Sequence, residues 1–402
     1  MRVFGKMASH QGGFLVGSSK GEWETMGRAC LIVGLVVASV IFSALLFVGF
    51  VFFAFFVPQD FPEDPEPGIV LSEIPLEKTA AVDDPRIGLV SEIRWFPAAT
   101  ESEQVGIVSG EGILRASAHL EPGPFQRLSR RRKIVRFAGA DAAGFTHLIG
   151  VTGWQGASIY DADGVDLWNP PARIGVNSVA AADFLGNGSL QFAVGYNGGG
   201  GIRLHDQEGT ELWSESDGNV WHVEPIQRPG EDTWLILHSN AGGFMRFRGA
   251  DGKIITENRP SAYFSSFSLS PWPDSNGDPH IVYLADDTVW VYDASGNRIA
   301  LLDAPIANRL GDAYATPVRL QPDADSHFAV VVSLFTRSVL FLYDTNNRLV
   351  YHEVLEDYTT AIAAIPEPGT DTESLLVGGE GKVWRYRWDE TKSNQAETDS
   401  SS

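Results

Sequence analysis

The stretch that decides the fold is residues 180–213, AAADFLGNGSLQFAVGYNGGGGIRLHDQEGTELW. It divides into short apolar runs set off by turns. The first run ends in the turn Leu185-Gly186-Asn187-Gly188. Leu190 to Tyr196 alternates as a strand, Asn197 to Gly201 turns, and Ile202 to Asp206 forms a third strand. Gln207 to Gly209 turns again before a fourth strand, Thr210 to Trp213. Strands of about 5–6 residues joined by glycine-bearing turns predict an antiparallel meander. A four-stranded meander cannot bury both faces alone, so it needs neighbours like itself.

Those neighbours are present. The third strand and its turn recur as SIYDADG (158–164), RLHDQEG (203–209), MRFRGADG (245–252), WVYDASG (290–296) and FLYDTNN (341–347). The anchor positions 161, 206, 249, 293 and 344 are 45, 43, 44 and 51 residues apart. Fainter members stand at Gly112–Ser117 and Lys382–Arg387. Seven anchors at a period of about 40–50 predict an all-β, seven-bladed β-propeller with four-stranded antiparallel blades. It spans residues 89–388, with blades opening near Ser91, Ile134, Val179, Val220, Phe264, Thr316 and Thr360. The last blade stops after its third strand. A strand from the N-terminal side, near 69–74 or 86–90, is expected to complete it and to remove an exposed edge.

Two family resemblances rest on these residues. Ala181-Ala182-Asp183-Phe184-Leu185-Gly186-Asn187-Gly188, with the strand ending at Gly195, resembles an FG-GAP repeat of the integrin-α type. The Asp-x-x-Gly-x-x-x-Trp pattern of Asp161/Gly164/Trp168 and Asp206/Gly209/Trp213 resembles the tryptophan-docking repeat of quinoprotein-like propellers. Tyr351 takes the Trp place after Asp344, and Thr256 and Ala300 stand there after Gly249 and Asp293. Both resemblances imply a propeller, and neither implies one function.

The N-terminus reads differently. Residues 29–57 carry no charge and are long enough to cross a bilayer, which predicts a transmembrane signal anchor. Arg2, Lys6, Lys20 and Arg28 precede it, and Asp60, Glu63, Asp64 and Glu66 follow it. The 1–28 tail is therefore expected in the cytoplasm and the propeller outside, periplasmic or extracellular, on a single-pass cell-membrane protein. The Pro- and acid-rich residues 58–88 read as a stalk, and 389–402 as a disordered tail. The one cysteine, Cys30, lies in the span, so the exported part has no disulfide.

The 402 residues carry a net charge of −21. Residues 1–57 hold four basic and two acidic side chains, so the remainder carries −23. That opposes binding to nucleic acid. Turn alternation sorts the polar residues by end. Asp141, Asp183, Asp274, Asp278, Asp323 and Asp325 fall at the end of the first and third turns of each blade. Arg173, Arg259, Arg309 and Arg337, with the run Arg130–Lys133, fall at the opposite end. They form a candidate anion- or partner-binding face. The Arg130–Lys133 run could instead pair with the acidic stalk.

Asp274, Asn276 and Asp278 have the one-three-five spacing of a Ca²⁺ loop, but Val282 stands where a ninth-position ligand belongs. Asx turns explain the same residues without metal. The nine histidines show no zinc spacing, and His147, His205 and His238 fall on strands. Trp168, Trp213, Trp290 and Trp384 recur with the repeat and are read as packing between blades.

Two functions fit. One is a membrane-anchored binding or scaffold module for a protein or glycan partner of the cell envelope. The other is a propeller enzyme, glycan-cleaving or a quinoprotein-like oxidoreductase, with its active site at the central channel. The enzyme requires acid, base or metal residues converging there from several blades.

Overall fold

In the computed structural model, residues 65–171, 174–273, 275–305, 312–322, 324–334, 336–389 and 391 are described. The expected span over 29–57, the site residues Arg173, Arg309 and Asp274, and most of the C-terminal tail lie outside them. Among the described residues no helix is long and apolar enough to cross a membrane.

Seven antiparallel sheets follow one another along the chain. Their first strands are Val90–Trp95, Ile134–Ala138, Val176–Ala182, Val220–Gln227, Ser268–Pro271, Ala313–Val318 and Ile362–Pro366. These are the innermost strands of blades one to seven, within a few residues of the expected starts. The structure is a seven-bladed β-propeller.

The N-terminal segment closes the ring, but not as the stalk reading expects. Strand β1 (Gly68–Ser72) pairs with Leu349–Val354 and gives blade six a fifth strand. Strand β2 (Leu76–Asp83) pairs with Lys382–Trp388 and supplies the missing outer strand of blade seven. Residues 68–83 are thus part of the propeller, and the closing strand lies between the two expected windows. Its sequence, LEKTAAVD, reads as stalk because an outermost strand buries little: only Leu76 and Val82 are buried.

The turn chemistry repeats. In blades two, three, five and six the anchor Asp accepts the N–H groups two and four residues on, through one carboxylate oxygen. Asp161 takes Asp163 and Val165 (both 2.9 Å), and Asp206 takes Glu208 (3.1 Å) and Thr210 (2.7 Å). Asp293 and Asp344 do the same. The residue three after the anchor needs positive φ, which is why Gly164, Gly209 and Gly296 stand there and Asn347 in blade six.

The core is divided by junction. Seven apolar clusters each join two adjacent blades, from Phe96, Val108 and Tyr160 between blades one and two to Val82, Val90 and Leu376 between seven and one. The tryptophans lie at these junctions. Trp168 packs on the turn of blade three, where a Cβ on Gly209 would come within 2.8 Å of its ring. Trp213 covers Gly252 of blade four and donates its Nε1–H to Ala250 O (2.7 Å).

Candidate functional site: the central channel and the loop end

The seven inner strands enclose a cavity of about 710 Å³. It opens toward the first turns, and a charged layer crosses it deeper in. Along each inner strand alternate side chains face the axis, so the layer is built from one position on several blades. Glu92 and Arg94 come from blade one, Arg136 from blade two, His222 and Glu224 from blade four, and Tyr314 from blade six. The inner strand of blade three lines the cavity with the small side chains of Val179 and Ala180–Ala182, which leaves room for Arg136 to reach Glu224.

Arg136 Nη1 donates to Glu224 Oε1, which also pairs with His222 Nε2 (2.9 Å). Arg136 also lies 5.9 Å from the centre of the Tyr314 ring. Glu92 Oε2 accepts the Phe137 N–H (2.7 Å), and its Oε1 is 3.1 Å from Arg94 Nη2. Arg136 and Glu224 lie deep in the ring yet keep 26% and 18% of their side-chain exposure, because the cavity reaches them.

Burial works to lift the Glu224 pKa, but Arg136 and the His222 hydrogen bond outweigh it and hold the carboxyl below its ordinary value. Burial likewise works against the Arg136 charge, and Glu224 outweighs it, so its pKa is raised. Burial, with Asp312 adding to it, pushes the Tyr314 hydroxyl up. Glu224 and Arg136 are therefore held as a charged pair. A general acid needs a carboxyl pushed the other way.

The sequence alone does not reveal this layer. Glu92, Arg136 and Glu224 are single residues on different blades, with no shared spacing. Their only sequence signal is a charge inside a strand that the pattern places innermost.

The loop end looks different from the expectation. A continuous set of backbone hydrogen bonds ties the second turns to the links between blades. Asn197 N–H donates to Gly175 O (3.2 Å), Gly201 to Gly218 (3.0 Å) and Ala241 to Asn219 (2.8 Å). Of the four candidate arginines, Arg259 is exposed, with its guanidinium 5.4 Å from the Phe244 ring. Arg337 is half-buried and donates to Pro65 O (2.7 Å), so it holds the incoming N-terminal segment. Arg131 pairs with Glu111, Arg130 with Asp166 (3.2 Å), and Arg132 with Ser158 and Asn169. The basic run is thus bound within blades one and two.

Nor is this end uniformly basic. Asp286, Asp287, Glu356 and Glu380 are exposed on it, beside blades five to seven. Asp286 and Asp287 form a two-residue hairpin turn with Asp286 at φ 57°, a position that short polar side chains fill well. Of the described candidate arginines, only Arg259, after the last strand of blade four, stands exposed beside an aromatic ring. Trp154 is 67% exposed in the second turn of blade two, and Ile174 is 46% exposed beside it. Tyr263, 55% exposed, donates its hydroxyl to Ala241 O (3.1 Å).

Asp183 accepts the N–H groups of Asn187 (2.9 Å) and Gly188 (2.7 Å), so its carboxylate closes its own turn. In the turn after Trp272, Asn276 is exposed, while Ser275 Oγ accepts from Trp272 N–H (3.1 Å) and donates to its carbonyl (2.6 Å). Among the described residues no three His, Cys, Asp or Glu side chains stand close enough to hold a metal.

No family model matches the sequence, and no curated protein does. The chain is similar in fold to solved propellers. One is BBS1N, crystallised in complex with ARL6DN and soaked with lead: 13% identity, 80% of this chain and 99% of that chain covered, TM-score 0.51. The mercury-soaked crystal of the same complex gives a TM-score of 0.50 at the same identity and coverage. The Neurospora crassa Pan2 WD40 domain gives 0.48, at 11% identity over 80% of this chain and 98% of that one. At these identities the likeness is one of fold.

Proposed function

We propose that this propeller is a binding module, tethered to a cell membrane by residues 29–57, which engages a protein partner outside the cytoplasm. The carrying observation is the loop end beside blades two to four. Phe244, Arg259 and the exposed Tyr263 stand together on the second turn of blade four and the link that follows it, and Trp154 is exposed on the second turn of blade two. Tryptophan, tyrosine and arginine are the side chains in which binding energy concentrates at protein interfaces. The BBS1N propeller, crystallised with ARL6DN, supports the reading at the level of fold.

The test uses the full chain expressed in intact cells. A propeller that sediments with membranes and is digested by protease added from outside fits the tether. Crosslinking should then recover a protein from wild type that is lost from Trp154→Ala/Tyr263→Ala. A soluble, protease-protected chain would refute the tether. An unchanged set of crosslinked proteins, or a glycan captured in their place, would refute the protein face.

A further inference from the structure

The cavity inside the ring has the makings of a second, separate site. Its depth gives a charged floor, and its sides give an apolar sleeve.

Charge sets the first limit on a guest. In the floor, Glu92, Arg94, Arg136 and Glu224 sum to zero, and the one further charge of the lining, Asp183, is engaged by the N–H groups of its own turn. A guest with net charge would leave one member of a pair uncompensated in a place of low polarity. Free valence sets the second limit. Glu224 presents Oε1 to both Arg136 and His222, and its Oε2 has no hydrogen-bond partner among the described residues. Arg136 uses Nη1 on Glu224, and Arg94 uses Nη2 on Glu92, so both guanidinium forks retain N–H groups toward the cavity. The floor therefore offers donors and an acceptor side by side. Shape sets the third limit. Val179, Ala181, Leu190, Leu269 and Ile362 line the walls, and about 710 Å³ holds a body of drug-like size.

We propose that the channel binds a zwitterionic small molecule with an apolar body, of the class of hydrophobic amino acids and short peptides. The guest's carboxylate meets Arg136 and Arg94, its ammonium meets Glu224, and its side chains fill the sleeve. Together the two ends satisfy the floor without breaking either existing pair.

Calorimetry on the full chain in detergent tests this with the dipeptide Leu-Leu. Its N-acetylated and C-amidated forms each remove one end of the zwitterion. Binding is expected for Leu-Leu, with each blocked form weaker by about tenfold or more, as one lost charge-assisted contact implies. Arg94→Gln, at the accessible edge of the layer, should weaken Leu-Leu and its N-acetylated form, which both keep the carboxylate, but leave the C-amidated form's weaker binding less affected. Leu269→Trp should abolish binding by filling the sleeve, with the far-UV spectrum and melting temperature confirming a folded ring. No heat up to about 10 mM peptide, or equal binding of free and blocked forms, would overturn the proposal. Neither result bears on the loop end, which the crosslinking experiment reads.

Discussion

Blades two to four and blades six to seven hold the ring together in different ways. In the first region one contact recurs from blade to blade. Trp168 covers Gly209, Trp213 covers Gly252, and Asn258 covers Gly296, each reaching from one blade onto the turn of the next. In the second region the contacts occur once. β1 and β2 cross from the N-terminal end to pair with strands more than 270 residues away, and Lys78 of β2 reaches across to Glu353 of blade six (2.6 Å). Repeated contacts spread the cohesion over many modest, equivalent joints. The single closure gathers it in one place, so the two regions should fail differently.

The largest effect is expected from removing the closure. A chain lacking residues 65–83 leaves blade seven with three strands and exposes the edge of Lys382–Trp388. It also uncovers the buried Tyr351 and Tyr386 at the blade six–seven junction. Such an edge templates pairing with other chains. The truncated chain should be insoluble or lack a cooperative melt, whereas removal of residues 392–402 should leave the melt unchanged. A soluble truncation that melts like the parent would show that the repeated joints suffice on their own.

A smaller and more local effect should follow from Lys78→Met. Lys78 pairs with Glu353, whose other oxygen accepts from Tyr351 (2.7 Å), and its ammonium lies 4.6 Å from the Trp384 ring. Removing the cation leaves a nearly buried carboxylate beside aromatic rings. The cost should be about 3 kcal/mol, at the low end for a broken buried pair because Lys78 is partly exposed. Adding Glu353→Gln should recover most of it. A double variant as unstable as the single one would mean that packing, not charge, fastens β2.

The junction of blades three and four carries its own buried charges, and these respond to pH. Asp217, on the link between the blades, accepts from Arg246, Arg248 and Asn240 (2.9 Å). Arg248 Nε also donates to His238 Nε2 (2.9 Å), so that nitrogen is a lone-pair acceptor, although it is also 3.3 Å from Asp217 Oδ2. Burial first, and then the Arg248 charge, pushes the His238 pKa down to about 3. The unfolded chain protonates this histidine near pH 6.5 and the folded chain does not. Stability should therefore fall as pH drops from about 6.5 toward 3, by at most about 1.4 kcal/mol per pH unit for the one proton. Thermal melts should show His238→Gln losing that part of the slope. An unchanged slope would assign it to His147, His205, His327 and His352, all also lowered by burial.

The same contrast explains what the sequence discloses. The Asp-x-x-Gly turns and Trp168 and Trp213 are legible because each is written several times at nearly one period, and each is satisfied by residues close in the chain. The closing strand β2 is less legible. Its partner is far away, and an outer strand with half its face in water carries Glu77, Lys78 and Asp83 like a solvated stalk. The channel layer is hidden for a related reason. Arg136 and Glu224 lie 88 residues apart and meet only because blade three between them presents small side chains to the axis. The loop end was half legible. The turns place the arginines there, but counting arginines alone overlooks Asp286, Asp287, Glu356 and Glu380, which share that end.

The smallest effect sharpens the repeated region itself. Trp213 and Trp168 hold equivalent places, but only Trp213 makes the indole hydrogen bond, to Ala250 O, while Trp168 Nε1 finds no partner. Replacing either with Phe keeps a ring over the following glycine turn. Trp213→Phe should cost about 1 kcal/mol more than Trp168→Phe, the net worth of one hydrogen bond whose acceptor is left behind. Equal losses would mean that the ring face alone docks each blade. The variation from Trp to Asn258 and Leu128 at this place would then reflect contact area and not hydrogen bonding. A larger gap would make the carbonyl at Ala250 the feature that distinguishes the joint between blades three and four, the same joint that the Asp217 network reinforces through Arg248, which donates to the Gly252 carbonyl beneath Trp213.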